Sequence, residues 1–151
     1  TGLAAGTYTV VVTDSKGCST SASATVTQPS ALTASATATV VTCNAGTDGT
    51  ATVTPSGGNG GNTYSWNTTP AQTGATATGL AAGTYTVVVT DSKGCSTSTS
   101  ATVTQPAALT ASATATVVSC NGGSNGTATV TPVGGNGGNT YSWNKIGRAH
   151  V

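Results

Sequence analysis

Along residues 32–40 the chain alternates apolar and hydroxyl side chains: Leu32, Ala34, Ala36, Ala38 and Val40 fall between Thr33, Ser35, Thr37 and Thr39. A period of two marks a strand with one face in a core. The run from Cys43 to Gly49 is rich in Asn, Gly and Asp and predicts a turn. Residues 50–54 predict a second strand with Ala51 and Val53 inward, ended by Pro55 and a flexible run, SGGNGGN. Tyr64 and Trp66 share one face of a third strand, and one or two short strands are expected around Pro70 and Gly74. The strongest pattern covers 84–90, with Tyr85, Val87 and Val89 on one face. Asp91-Ser92-Lys93-Gly94 then predicts a hairpin turn and 96–104 the returning strand. About seven short strands in fewer than about 80 residues, with turns between them, define an all-β sandwich.

The same pattern recurs with a period of 77 residues, so that Cys18 returns as Cys95, Pro29 as Pro106, Cys43 as Cys120 and Trp66 as Trp143. Residues 1–67 and 78–144 align without a gap and differ at seven positions. That period is too long for a solenoid turn and suits one small domain per copy. Residues 31–106 form a complete copy, 1–30 the C-terminal part of the one before, and 107–144 the N-terminal part of the one after. The missing initiator Met and leader place the natural termini, by expectation, outside these 151 residues. After Asn144 the repeat breaks into KIGRAHV, which contains the only Ile, Arg and His of the chain. IGRAHV is encoded in frame by a common sequencing-adapter string, so residues 145–151 are expected to be an adapter artefact. The native part then has no histidine.

Composition narrows the function. Charged residues are 5% of the chain and the net charge is +1, with no basic cluster, which argues against nucleic acid and anionic membranes. No apolar run approaches the roughly 18 residues of a membrane helix. Serine and threonine abound, yet without a native His no Ser-His-Asp constellation can be assembled. SGGNGGN lacks the Lys-Ser/Thr and the helix of a phosphate loop. Calcium would need converging carboxylates, whereas Asp48 and Asp91 are isolated and Asp48 becomes Asn125 in the next copy. Asp91, with Gly94, is better explained as a turn former. Zinc lacks both a CxxC and a native His. No catalytic residue, metal or cofactor is therefore expected.

Two details sharpen the sandwich to an immunoglobulin-like one. Trp66 lies on the third strand, where such folds bury a Trp, and Gly83-Thr84-Tyr85 opens a late strand behind Leu80, as in a tyrosine corner. Val53 and Val87 stand where antibody domains place their cysteines. The expected core is Trp66, Tyr85, Leu80, Val87, Val89 and Val53.

Cys43, Gly46, Gly49, Gly57, Gly58, Tyr64, Trp66, Leu80, Gly83, Tyr85, Val87, Val89, Asp91, Gly94, Cys95, Gln105 and Pro106 together resemble the SprB repeat, found in surface adhesins of gliding Bacteroidetes. Gly46 falls one residue later than in the family pattern, which Cys120-Asn121-Gly122 keeps. The resemblance covers 1–144 and implies a secreted or outer-membrane-associated array at the cell surface, exported by the type IX pathway, with roles in cell adhesion and gliding motility. The partners it implies are neighbouring repeats of the same chain and surface glycans, with no nucleic acid and no membrane insertion.

Two cysteines per period fit an oxidising location. A Cys43–Cys95 disulfide would leave every copy self-contained, and its loop would contribute about 4 kcal/mol in the chain-entropy model. The alternative, Cys18–Cys43 with Cys95–Cys120, would staple neighbours. A strict immunoglobulin topology sets the first turn and the late hairpin at opposite ends, against the intracopy bridge. Three functions remain: an adhesin or stalk array, a passive spacer in a larger secreted enzyme, and a carbohydrate-binding module. Buried Trp66 and Tyr85 would favour stalk or spacer, exposed ones binding.

Overall fold

A computed structural model describes residues 2–144; the segment 145–151, read above as an adapter artefact, lies outside the described residues. All ten elements are strands. Six of them, β3 (Thr33–Ala38), β4 (Gly49–Ser56), β5 (Thr63–Trp66), β6 (Thr76–Leu80), β7 (Gly83–Thr90) and β8 (Ser96–Val103), belong to the complete copy. They form two three-stranded antiparallel sheets, ordered β3-β4-β6 and β5-β7-β8. The core between the sheets is Val41, Ala51, Val53, Trp66, Ala77, Leu80, Val87, Val89, Ala101 and Val103. Every one of these residues comes from the same copy, so residues 31–106 close their own core.

The period-two pattern explains which face is buried. In β4 Ala51 and Val53 point inward, and in β7 Val87 and Val89 do. The outward threonines meet in cross-strand pairs, Thr52 with Thr76 at 3.0 Å and Thr84 with Thr102 at 3.0 Å. Such pairs contribute a few tenths of a kcal/mol each, up to about 1. Gly49 is required by close approach, since a Cβ there would lie 2.5 Å from Val103 and 2.7 Å from the Leu80 carbonyl.

Three expectations are corrected. The copy has six strands among the described residues, not about seven, because 67–75 is a loop and β6 starts only at Thr76. That loop is held by Gln72, whose side chain brackets Thr78 by accepting from its N–H and donating to its carbonyl, both at 2.9 Å. β4 runs through Pro55 to Ser56. The Val53 N–H donates to Ala75 on the β6 side, and two residues on, β6 is no longer alongside, so the missing N–H of Pro55 breaks no ladder bond. Finally, Val40 is 60% exposed and Val41 is buried instead. After Thr39, still paired with Thr50, the chain leaves β4 and Val41 N–H donates to the Thr104 carbonyl beyond β8. Crossing between sheets shifts the alternation by one residue.

The flanking partial copies are two-stranded. β1 (Gly6–Thr13) pairs with β2 (Ser19–Val26) in the register of β7 with β8, and β9 (Thr110–Ala115) pairs with β10 (Ala128–Val133) in that of β3 with β4.

Candidate functional site

The charged centre of the module is Asp91, the buried residue of the β7–β8 turn. Its Oδ1 accepts the N–H groups of Lys93 and Cys95, each at 2.9 Å, the first being the Asx turn expected from sequence. Oδ2 accepts the backbone N–H of Asn59 at 2.9 Å and its side-chain amide at 2.8 Å. Burial pushes this carboxyl up, but the Asn59, Lys93 and Cys95 donors outweigh it and hold the pKa at about 2. Gly94 sits in the left-handed region at φ 84° and closes the turn, its N–H donating to the Asp91 carbonyl at 3.0 Å.

Asn59 is the residue that sequence reasoning missed. It belongs to SGGNGGN, taken above as a flexible run. That run is pinned at several points. Gly58 N–H donates to the Ser30 carbonyl at 3.0 Å, and Ser92 N–H to the Gly60 carbonyl at 2.9 Å. The one signal available was an Asn flanked by glycine pairs in both copies. Gly57 shows why glycine is needed there: at φ 75°, a Cβ would come within 2.2 Å of the Ala31 carbonyl oxygen.

The opposite end of the module carries the Cys43 turn. Asp48 braces it by accepting the Thr42 hydroxyl at 2.6 Å and the Thr42 N–H at 3.0 Å, which lowers its pKa, the hydroxyl bond contributing most. In the next copy Asn125 and Ser119 rebuild the same brace, which explains why Asp48 can be exchanged for Asn. From this turn two bonds reach the copy boundary: Asn44 Nδ2 donates to the Pro106 carbonyl at 3.0 Å, and Ala45 N–H to Gln105 Oε1 at 2.9 Å. Asn136 Nδ2, in the next copy, donates to the Thr42 carbonyl. Residues 105–106 are thus a hydrogen-bonded junction.

The expected Cys43–Cys95 bridge is overturned by this geometry. All four cysteines are free and exposed. Cys43 stands beside the residues following β8, and Cys95 immediately precedes β8, so the strand's length of ~30 Å separates them, against about 4.4–6.8 Å between the Cα atoms of a disulfide. Cys95–Cys120 fails more widely, because Cys120 is to the next copy what Cys43 is to this one.

Trp66 is 1% exposed, and its indole N–H donates to the Gly74 carbonyl at 2.9 Å. Leu80, Val53, Val87 and Val89 are buried with it. Tyr85 is half-buried against this core, its hydroxyl donating to the Ala81 carbonyl at 3.1 Å. Among the described residues no three His, Cys, Asp or Glu side chains converge.

One two-sheet module, flanked by two hairpins that repeat parts of its sequence and register, makes this an all-β protein of the β-sandwich class. The SprB repeat family model matches the chain twice, at 35–70 and at 112–147. The two matches stand one period apart, so the same segment of two successive copies is similar to the SprB repeat. No curated protein and no solved structure matches it.

Proposed function

We propose that the chain is a stretch of a non-catalytic, extracellular repeat protein of the cell surface, whose immunoglobulin-like modules stack end to end as the stalk of an adhesin. The carrying observation is the junction. Gln105 and Pro106 are clamped by the Asn44-Ala45 turn, so consecutive copies join without a free linker. Strands of up to eight residues with their turns give each copy a length of roughly 30–40 Å, and a series of clamped copies holds whatever it carries away from the cell. Gliding motility is the setting and the type IX pathway the export route that the family suggests.

The immunoglobulin-like reading is supported by the sheet order, by the crossing of Val41 to the β8 side, by Trp66 on the third strand and by the Tyr85 hydroxyl bonded four residues back. The buried indole of Trp66 and the packed ring of Tyr85 favour a stalk or spacer over a carbohydrate-binding module, which needs exposed aromatic faces. Small-angle scattering on one, two and three tandem copies of residues 30–106 tests the stalk. The maximum dimension should grow by about 30–40 Å per copy; a dimension that levels off would remove the stalk from consideration.

A further inference from the structure

We propose that Cys43 forms a disulfide with the cysteine standing at the place of Cys95 in the following copy, so that bridges cross the junctions between modules. The proposal rests on the tandem reading. Two grooves of the chain carry it, since they are the same groove one period apart. The first is lined by Pro29, Ser30, Ala31, Leu32, Gly58 and Asn59, together with Cys95. The second is lined by the repeat equivalents of all six, Pro106 through Leu109 with Gly135 and Asn136, together with Cys43. Superposing one period on the other therefore puts Cys43 and the next copy's Cys95-equivalent in one groove.

The hydrogen bonds place them closer still. Asn136 donates to the carbonyl of Thr42, the residue before Cys43. Its equivalent Asn59 donates to Asp91, and Asp91 accepts the N–H of Cys95. In a complete following copy one Asn side chain, with two N–H donors, thus links the Cys43 turn on one side to the Asp that holds the second cysteine on the other. Both thiols are exposed, so an oxidant can reach them. None of the four cysteines of residues 1–151 has its partner inside this chain: Cys43 and Cys120 pair forward, Cys18 and Cys95 backward.

The step is an ordinary exchange. Two thiols lose two protons and two electrons, an S–S bond forms, and a small-molecule disulfide takes up both and becomes two thiols. The test uses residues 30–106 in two tandem copies, since one copy closes its own core, equilibrated with oxidised and reduced glutathione. Half of the four thiols should disappear, and non-reducing peptide mapping should join the first copy's Cys43 to the second copy's Cys95. Cys43→Ser in the first copy should restore full thiol reactivity without changing far-UV circular dichroism, and a single copy should keep both thiols. Four reactive thiols, or a bridge inside one copy, would overturn the proposal. Scattering on the same sample separates the two readings, because an extended two-copy particle with four thiols would reject the bridge and retain the stalk.

Discussion

Residues 6–26 and 83–103 contain two hairpins of nearly identical sequence. Their strand registers are the same, Gly6 opposite Val26 and Gly83 opposite Val103. Their turns are the same, with Asp14 Oδ1 accepting Lys16 and Cys18 N–H at 2.8 and 2.9 Å as Asp91 accepts Lys93 and Cys95. Even the tyrosine hydroxyl repeats, Tyr8 donating to Ala4 as Tyr85 does to Ala81. Yet Val10 and Val12 are 56% and 58% exposed, whereas Val87 and Val89 are fully buried. The hairpin is therefore specified locally, by turn chemistry and pairing. What separates the two is the opposing sheet, which only residues 31–106 supply in full. Local sequence builds the ribbon, and the rest of the copy turns it into a core.

Paired substitutions put that contrast to its hardest test. Trp66→Ala empties the largest buried side chain and should cost about 3–5 kcal/mol by calorimetry, while Trp143→Ala, at a ring 60% exposed, should stay within about 0.5 kcal/mol. Equal costs would mean that the C-terminal partial copy has a core of its own. Next in size, Val87→Ala should cost about 2 kcal/mol from lost burial and the cavity left behind. Val10→Ala, the same change in the same local sequence, should be nearly silent. If both valines respond alike, the N-terminal hairpin is packed in solution and the comparison collapses.

The acid response sharpens the same contrast at the turns. Unfolded Asp titrates near 3.9, and folded Asp91 near 2. As pH falls below about 4 the unfolded chain binds a proton that folded Asp91 refuses, so this contribution is complete above that pH and is lost towards pH 2. Asp91→Asn should flatten the decline in melting temperature over that window, leaving a remainder from Asp48, whose pKa is also lowered. The pKa of Asp14 is lowered by its own turn amides, Cys18 first, and among the described residues no asparagine side chain donates to it as Asn59 does to Asp91. Asp14→Asn should therefore leave the module's pH profile unchanged.

Much of this was legible in the sequence where structure follows from neighbours along the chain. The strand at 84–90, the Asp91 turn and the inward Val53 and Trp66 required only periodicity and turn residues. What was not legible depended on contacts between distant segments. Val41 replaces Val40 in the core because the chain crosses from one sheet to the other, and nothing in Thr39-Val40-Val41 announces the crossing. Cys43 and Cys95 look like a pair when counted per copy; the topology expected from sequence already spoke against it, and their places at opposite ends of β8 decide the matter. Asn59 hides in a glycine-rich run because its partner, Asp91, is 32 residues away.

One position of the repeat keeps its left-handed backbone in both copies while changing its residue. Ala45 occupies the left-handed region at φ 60°, and the next copy has Gly122 there at φ 79°. For an L-residue that conformation costs about 1–2 kcal/mol, and glycine removes the cost while adding roughly 0.4–1 kcal/mol of unfolded-chain entropy. Ala45→Gly should therefore raise the stability of the complete module by about 0.5 kcal/mol, read as a higher denaturant midpoint at unchanged slope. The junction should survive, because position 45 contributes only its backbone N–H to Gln105. A lower midpoint would mean that the Ala45 methyl supports the turn at the junction. The difference between the copies would then concern how tightly the boundary is held, not strain.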